Sequence, residues 1–228
     1  MLSGTVVAIT PRPVRELLAP TTRYLEMLLG DHLFLRLVFP NRHRLSADTW
    51  RAAQPLPHQV HRMARQGIRT IVNLRGDTRS ASYGFEAAAC EAAGIKLENF
   101  RIKSRAAPSR EELLAARELF SRIEYPMLMH CKSGADRVGL MSALYRHVRH
   151  GVPIAEAKRE LSLRYGHMRQ ADTGVLDYFF ERYLADTATS PMEFYDWVEK
   201  VYDPVELKRS FHANRWANRI VDGILRRE

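Results

Sequence analysis

Between residues 48 and 169, short apolar runs alternate with stretches whose apolar residues recur at helical spacing, the pattern of strands and helices built into one α/β layer. Leu56, Val60, Met63 and Ala64 share one helical face up to Gly67, a stop signal, and Arg69 to Leu74 follows as a buried strand. Tyr83 to Ala93 predicts a second helix ended by Gly94, and Ile95 to Ile102 alternates as a strand. Ser109-Arg110-Glu111-Glu112 is a capping box opening a helix with Leu113, Ala116, Phe120 and Ile123 on one face, and Tyr125-Pro126 closes it. Met127-Leu128-Met129 is a short apolar run before a loop over His130 to Arg137, and Val138 to His147 resumes the helical pattern. Beyond Gly151 the pattern is helical: Pro153 to Arg164, Asp172 to Leu184, a helix opened by Ser190-Pro191-Met192-Glu193 and a last one opened by Asp203-Pro204-Val205-Glu206. The whole predicts an α/β fold, a central mixed sheet of about four or five strands flanked by helices, with a helical C-terminal extension.

At 228 residues and 46% hydrophobic, the chain can bury one ordinary core. Its most hydrophobic window, Leu25 to Phe39, is interrupted by Glu26, Asp31, His32 and Arg36, too short and too charged to span a bilayer. A helix and strand at the core edge is the expectation there, with peripheral membrane contact as the lesser alternative. A formal charge of +9 predicts acidic partners. The basic residues are dispersed, with no helix-turn-helix, zinc-finger or RNP-type aromatic pattern, so no nucleic acid partner is expected; a phosphorylated protein, an anionic lipid or a phosphorylated small molecule fits better. Cys90 and Cys131 cannot build a disulfide framework, and no secretory signal is legible, so a reducing, cytoplasmic location is expected.

The run Met127 to Val138 joins a strand to a helix through His130-Cys131-Lys132-Ser133-Gly134-Ala135-Asp136-Arg137. Such a loop aims backbone N–H groups inward at a helix N-terminus, where partial positive charge collects, and so cradles an anion. At the head of that cradle the same field favours a thiolate, making Cys131 a candidate nucleophile. Arg137 can fold back across the loop and offer a planar two-pronged fork to phosphoryl oxygens. Gly134 permits a backbone conformation and a close approach that a side chain would resist. Lys132, Ser133, Gly134, Ala135, Asp136 and Arg137 are therefore the expected phosphate-binding residues. Cys90, among alanines on a helix, reads as a small buried hydrophobe.

The full eight-residue pattern resembles the signature of the protein tyrosine and dual-specificity phosphatase superfamily. Thr49 to Pro55 and Gly67 to Gly76 are similar to the opening strands of small bacterial dual-specificity-like members, and the resemblance covers about residues 45–185. It implies a cysteine phosphatase domain over 41–187, an N-terminal extension over 1–40 and a helical extension over 188–228 packed on the domain. It also implies hydrolysis of phosphate monoesters through a phosphocysteine, with no metal and no cofactor. A rhodanese-like sulfurtransferase and a non-catalytic phosphate-recognition module are the alternatives.

Two departures stand out. Many relatives carry Ser or Thr after the arginine, where this chain has Val138. Relatives usually draw a general acid from the loop ahead of the capped helix, but Arg101 to Ser109 contains no carboxylate. Asp136 is then the expected acid, as in the loops of myotubularin-like and Sac-type phosphoinositide phosphatases, with Asp77 second. Gln170 resembles, loosely, a water-positioning residue. Lys103, Arg105, Arg75 and Lys132 make a basic mouth, which favours substrates with more than one phosphate. The substrate class stays open between phosphoprotein, phosphoinositide and inositol phosphate.

Overall fold

A computed structural model of the chain describes residues 40–78 and 80–213. Five strands form one sheet: β1 (His43–Arg44), β2 (Thr49–Ala53), β3 (Thr70–Asn73), β4 (Lys96–Asn99) and β5 (Met127–Cys131). Their order is β1-β2-β5-β3-β4; β1 is antiparallel to β2, and the other neighbours are parallel. The last strand in sequence therefore lies in the middle, with Ala53 level with Cys131 on one side and Asn73 level with His130 on the other. In a parallel sheet the crevice for ligands lies beyond the carboxyl ends of the strands, and Cys131 ends the central one.

The continuous apolar run of β5 follows from burial on both faces. Leu128 and Ile71 face α1 (Pro57–Arg65) and α2 (Ala81–Ala93), packing with Val60, Met63 and Ala89. Met127, Met129 and Val72 face the larger cluster built by α3 (Arg110–Arg122) and α4 (Asp136–His150). The capping box opens α3 as expected: Glu112 N–H donates to Ser109 Oγ at 3.1 Å, and Ser109 N–H to Glu112 Oε2 at 2.7 Å. Gly94 ends α2 in the left-handed region, φ 66°.

The helical expectation holds less well after Gly151. Instead of one helix over Pro153 to Arg164, α5 covers only Ile154–Ala157, and single 3-10 turns follow at Lys158–Glu160 and Leu163–Tyr165. The break is at Leu161 and Ser162, both extended; Ser162 Oγ accepts from Arg164 N–H at 3.2 Å and starts the next turn. This irregular segment lies so close to α4 that a Cβ on Gly139 would stand 2.7 Å from Leu161 Cδ2 and 3.0 Å from Glu160 O. The expected helix at Asp172 opens as a 3-10 turn and becomes α6 (Val175–Asp186).

The helix expected from Ser190 begins only after its N-cap, Glu193, as α7 (Phe194–Lys200), because Phe194 and Trp197 must reach the core beside Phe179 and Phe180. A last helix starts at residue 204, its opening amides capped by Asp203: Oδ1 accepts from Val205 N–H at 2.8 Å and Glu206 N–H at 3.1 Å. Tyr202 OH donates to Pro108 O at 2.7 Å, tying this end to the start of α3. The segment Leu25 to Phe39 lies outside the described residues. Among the described residues, no helix is long and apolar enough to cross a membrane.

Candidate active site

The loop between β5 and α4 is shaped from behind, by groups that hold its carbonyls. Asn41 Nδ2 donates to Ser133 O at 2.9 Å, and Arg51 Nη2 donates to Gly134 O at 3.0 Å and Ala135 O at 3.4 Å. With these carbonyls turned back toward β2, the peptide planes present their N–H groups to the opposite side. The first amides of α4 have no acceptor within the helix, and Ala135, the N-cap, has no side-chain cap to offer them. Gly134 makes the packing feasible twice over. Its φ is 75°, and a Cβ would stand 2.7 Å from the Ala52 carbonyl carbon and the Ala53 nitrogen.

Arg51 is fully buried and spans two structures. Its Nη1 donates to Glu160 Oε2 at 2.7 Å and Glu160 O at 3.0 Å, and its guanidinium stacks 3.7 Å from the Tyr165 ring centroid. Burial lowers its pKa from the ordinary arginine value, and Glu160 opposes that shift. Removing one partner of such a pair strands the other charge in the interior. Arg51→Leu is therefore expected to cost about 3–5 kcal/mol in urea unfolding, and Arg51→Leu with Glu160→Leu to recover part of it. A single variant within about 0.5 kcal/mol of the parent would show that Glu160 finds other compensation, Arg146 Nη1 at 3.5 Å being the candidate.

Ahead of the loop, a second buried chain begins at His130. Its Nε2 lies 2.6 Å from Glu86 Oε1, both side chains fully buried. Gln54 Nε2 donates to Glu86 Oε2 at 2.7 Å, and Arg75 Nη1 donates to Gln54 Oε1. Cys131 is buried at the head of the loop. Arg137 follows on α4, and its buried Nε donates no hydrogen bond among the described residues.

Arg137 and Asp136 line a cleft of about 460 Å³ with Arg75, Arg101, Lys103 and Arg105 across from them. Of the four basic residues expected at the mouth, Arg75, Lys103 and Arg105 line it, Arg101 joins them and Lys132 is not among the lining residues; Arg75 is held by Gln54. Lys132 is half-buried and Ser133 exposed at the loop's edge. Asp136 Oδ1 is 2.7 Å from His167 Nδ1, a contact absent from the expectation. Asp77 is exposed and is not among the residues lining this cleft. Gln170 lines a neighbouring cleft with His167 and Asp177, on the turn over residues 168–171, and is not among the residues lining the cleft at Arg137. Burial pushes the Cys90 thiol up to about 12, with Glu86 adding to it, which fits an inert core residue.

Sequence reasoning missed Asn41, Glu86, Glu160 and His167. Glu86 did leave a signal: on α2 it shares the buried face of Ser82, Ala89 and Cys90, and a carboxylate there needs a partner. For His167 and Asn41 no local pattern exists.

A loop joining the carboxyl end of the central parallel strand to a helix, in a five-stranded sheet of this order, is the fold of the bacterial dual-specificity-like phosphatases. Residues 41–176, more than half of the chain, match the family described as "DSP-PTPase phosphatase fused to NAD+ Kinase", and the chain belongs to that family. The curated dual specificity protein phosphatase TpbA of Pseudomonas aeruginosa strain UCBPP-PA14 is 30% identical over 122 residues, 53% of this chain and 53% of that protein. The chain thus matches about half the length of that relative. The crystal structure of P. aeruginosa TpbA superposes with a TM-score of 0.50 at 26% identity, covering 62% of this chain and 84% of that one. A protein of Shewanella putrefaciens CN-32 shares the fold alone: TM-score 0.53 at 14% identity, covering 67% of this chain and 95% of that one.

Proposed function

We propose that this chain hydrolyses phosphate monoesters through a covalent phosphocysteine. The observation that carries the reading is the loop itself, its carbonyls held back by Asn41 and Arg51, with Cys131 buried at its head and Arg137 lining the cleft at its end. In the first half-reaction Cys131 attacks phosphorus in line, so that the S–P bond forms as the P–O bond to the leaving group breaks. Arg137 and the loop amides meet the oxygens where charge accumulates. Asp136 gives its proton to the leaving oxygen. In the second, water attacks phosphorus, its proton passes to Asp136, and the S–P bond breaks to release inorganic phosphate and the thiolate.

The cleft's basic mouth supports a substrate carrying more than one phosphate, because each added charge-assisted contact strengthens binding there. Inositol polyphosphates and phosphoinositides are therefore the substrate classes we propose, ahead of singly phosphorylated peptides. The catalytic unit proposed here runs over 41–187, with a C-terminal extension from 188 whose residues 214–228 lie outside the described ones.

Assay against an aryl phosphate, phosphopeptides, phosphoinositides and inositol polyphosphates tests this, with Asp136→Asn alongside. A general acid matters in proportion to the leaving oxygen's need for a proton. The variant should slow an inositol phosphate by about a hundredfold or more and para-nitrophenyl phosphate only mildly. Equal losses on both would make Asp136 a loop support. Leaving-group dependence in Asp77→Asn instead would pass the role to Asp77.

A further inference from the structure

His167 has no part in the chemistry above, yet it is 2% exposed and held by two carboxylates. Its Nδ1 is 2.7 Å from Asp136 Oδ1 and its Nε2 is 2.7 Å from Asp177 Oδ2. A neutral imidazole carries one N–H and can donate to only one of them. Two carboxylates at this distance require two protons on the three groups, which is an imidazolium donating both ways or its equivalent with one proton moved onto an oxygen. Burial alone lowers the pKa of such a ring; the hydrogen bonds to Asp136 and Asp177 outweigh it and push His167 up to about 9.

The placement is directional. Asp136, in the first turn of α4, lines the cleft at Arg137, whereas His167 and Asp177, the latter in the first turn of α6, line a different cleft of about 420 Å³. The three side chains therefore run from the cleft at Arg137 to a second, separate cleft. The other charged groups around that opening are Lys158 and Arg159 on the 3-10 turn, Arg169 on the ring's own loop, and Glu181 on α6. Glu181 is engaged by Lys158 at 3.4 Å and Arg169 at 2.9 Å, which leaves Asp177 as the acid His167 meets on that side.

We propose that His167 is a positioning residue that holds on Nδ1 the proton Asp136 delivers to the leaving oxygen and takes it back when water attacks, with Asp177 holding the other side of the ring at the second cleft. This rests on Asp136 being the acid. The proton that Asp136 gives to the leaving oxygen is the one it has taken from Nδ1 of His167, so that Asp136 is left a carboxylate and the ring neutral with Nε2–H donating to Asp177. When water attacks the phosphocysteine, its proton passes to Asp136 and on to Nδ1, restoring the imidazolium. Charge and protons balance over the cycle.

The test compares Asp136→Asn, His167→Gln and Asp177→Asn on an inositol phosphate and on para-nitrophenyl phosphate, with kcat followed from pH 5 to 10. His167→Gln should lower kcat on the inositol phosphate at least about tenfold and on the aryl phosphate less than about twofold. Asp177→Asn, which removes one stabilising carboxylate, should move the alkaline limb of the inositol phosphate profile to lower pH. If Asp136→Asn is sensitive to the leaving group while both other variants lose equally on the two substrates or not at all, His167 only packs and the relay is overturned. If Asp136→Asn shows no leaving-group dependence, the acid assignment fails and the relay with it. Should His167→Gln not fold, Asp177→Asn decides: an unmoved alkaline limb overturns the relay.

Discussion

A Cys131→Ser chain is expected to bind phosphorylated ligands and to turn none of them over, with kcat at least about a thousandfold below the parent. Serine keeps the shape of the side chain but places a hydroxyl where the loop needs an anion. At neutral pH a hydroxyl without an adjacent base is a poor nucleophile, and no residue described near it takes that role: His130, its neighbour, directs Nε2 at Glu86. The cradle does not depend on the sulfur. Asn41 and Arg51 still hold the carbonyls of Ser133, Gly134 and Ala135, so the amides and Arg137 still meet a phosphate. Inorganic phosphate should therefore bind the variant by calorimetric titration within a few-fold of the parent. Acid quench of the parent during turnover should trap phosphorus on sulfur, and the variant should trap none. Turnover within about tenfold of the parent would sink the covalent mechanism. Loss of phosphate binding together with turnover would show that Cys131 shapes the loop rather than reacts in it.

Arg137→Lys should lower kcat/KM by about a hundred- to a thousandfold although the charge is kept. A guanidinium presents parallel N–H groups to two oxygens at once, whereas an ammonium is a point donor on a flexible stem. The buried, unpartnered Nε of Arg137 belongs to the face of the guanidinium that lysine lacks. Lysine is as good a helix former as arginine, so α4 should survive and the urea midpoint should hardly move. A rate within about fivefold of the parent, with unchanged unfolding, would show that charge alone suffices at this position.

What the sequence made legible was local. Met127 to Met129 reads as a buried strand because both its faces are covered, though the strand itself runs on through His130 and Cys131; Ser109 to Glu112 reads as a cap because its bonds close within one turn, and His130 to Arg137 as a cradle because strand, loop and helix are contiguous. The illegible part is contributed across the chain. Asn41 reaches Ser133, Arg51 reaches Glu160, and Glu86 reaches His130, pairs that no spacing rule joins. Residues 165–171 lie between the expected helices and carry no periodic pattern, so the turn that puts Gln170 on the neighbouring cleft, and His167 between its two carboxylates, has no signal in the sequence.

The groups that shape the nucleophile loop come from both sides of it in sequence, Asn41 and Arg51 before, Glu160 and Tyr165 after. During synthesis the signature from His130 to Arg137 therefore leaves the ribosome before the residues that brace Arg51 exist. A nascent chain halted between Arg137 and Glu160 has its nucleophile in the right order along the polypeptide, while the guanidinium behind the loop still lacks its counter-charge and its aromatic stack. The thiol acquires its working environment late, when the irregular stretch after α5 emerges and closes over Arg51. The reactivity proposed for Cys131 is in this sense a property of the fold through Tyr165 and not of the signature alone.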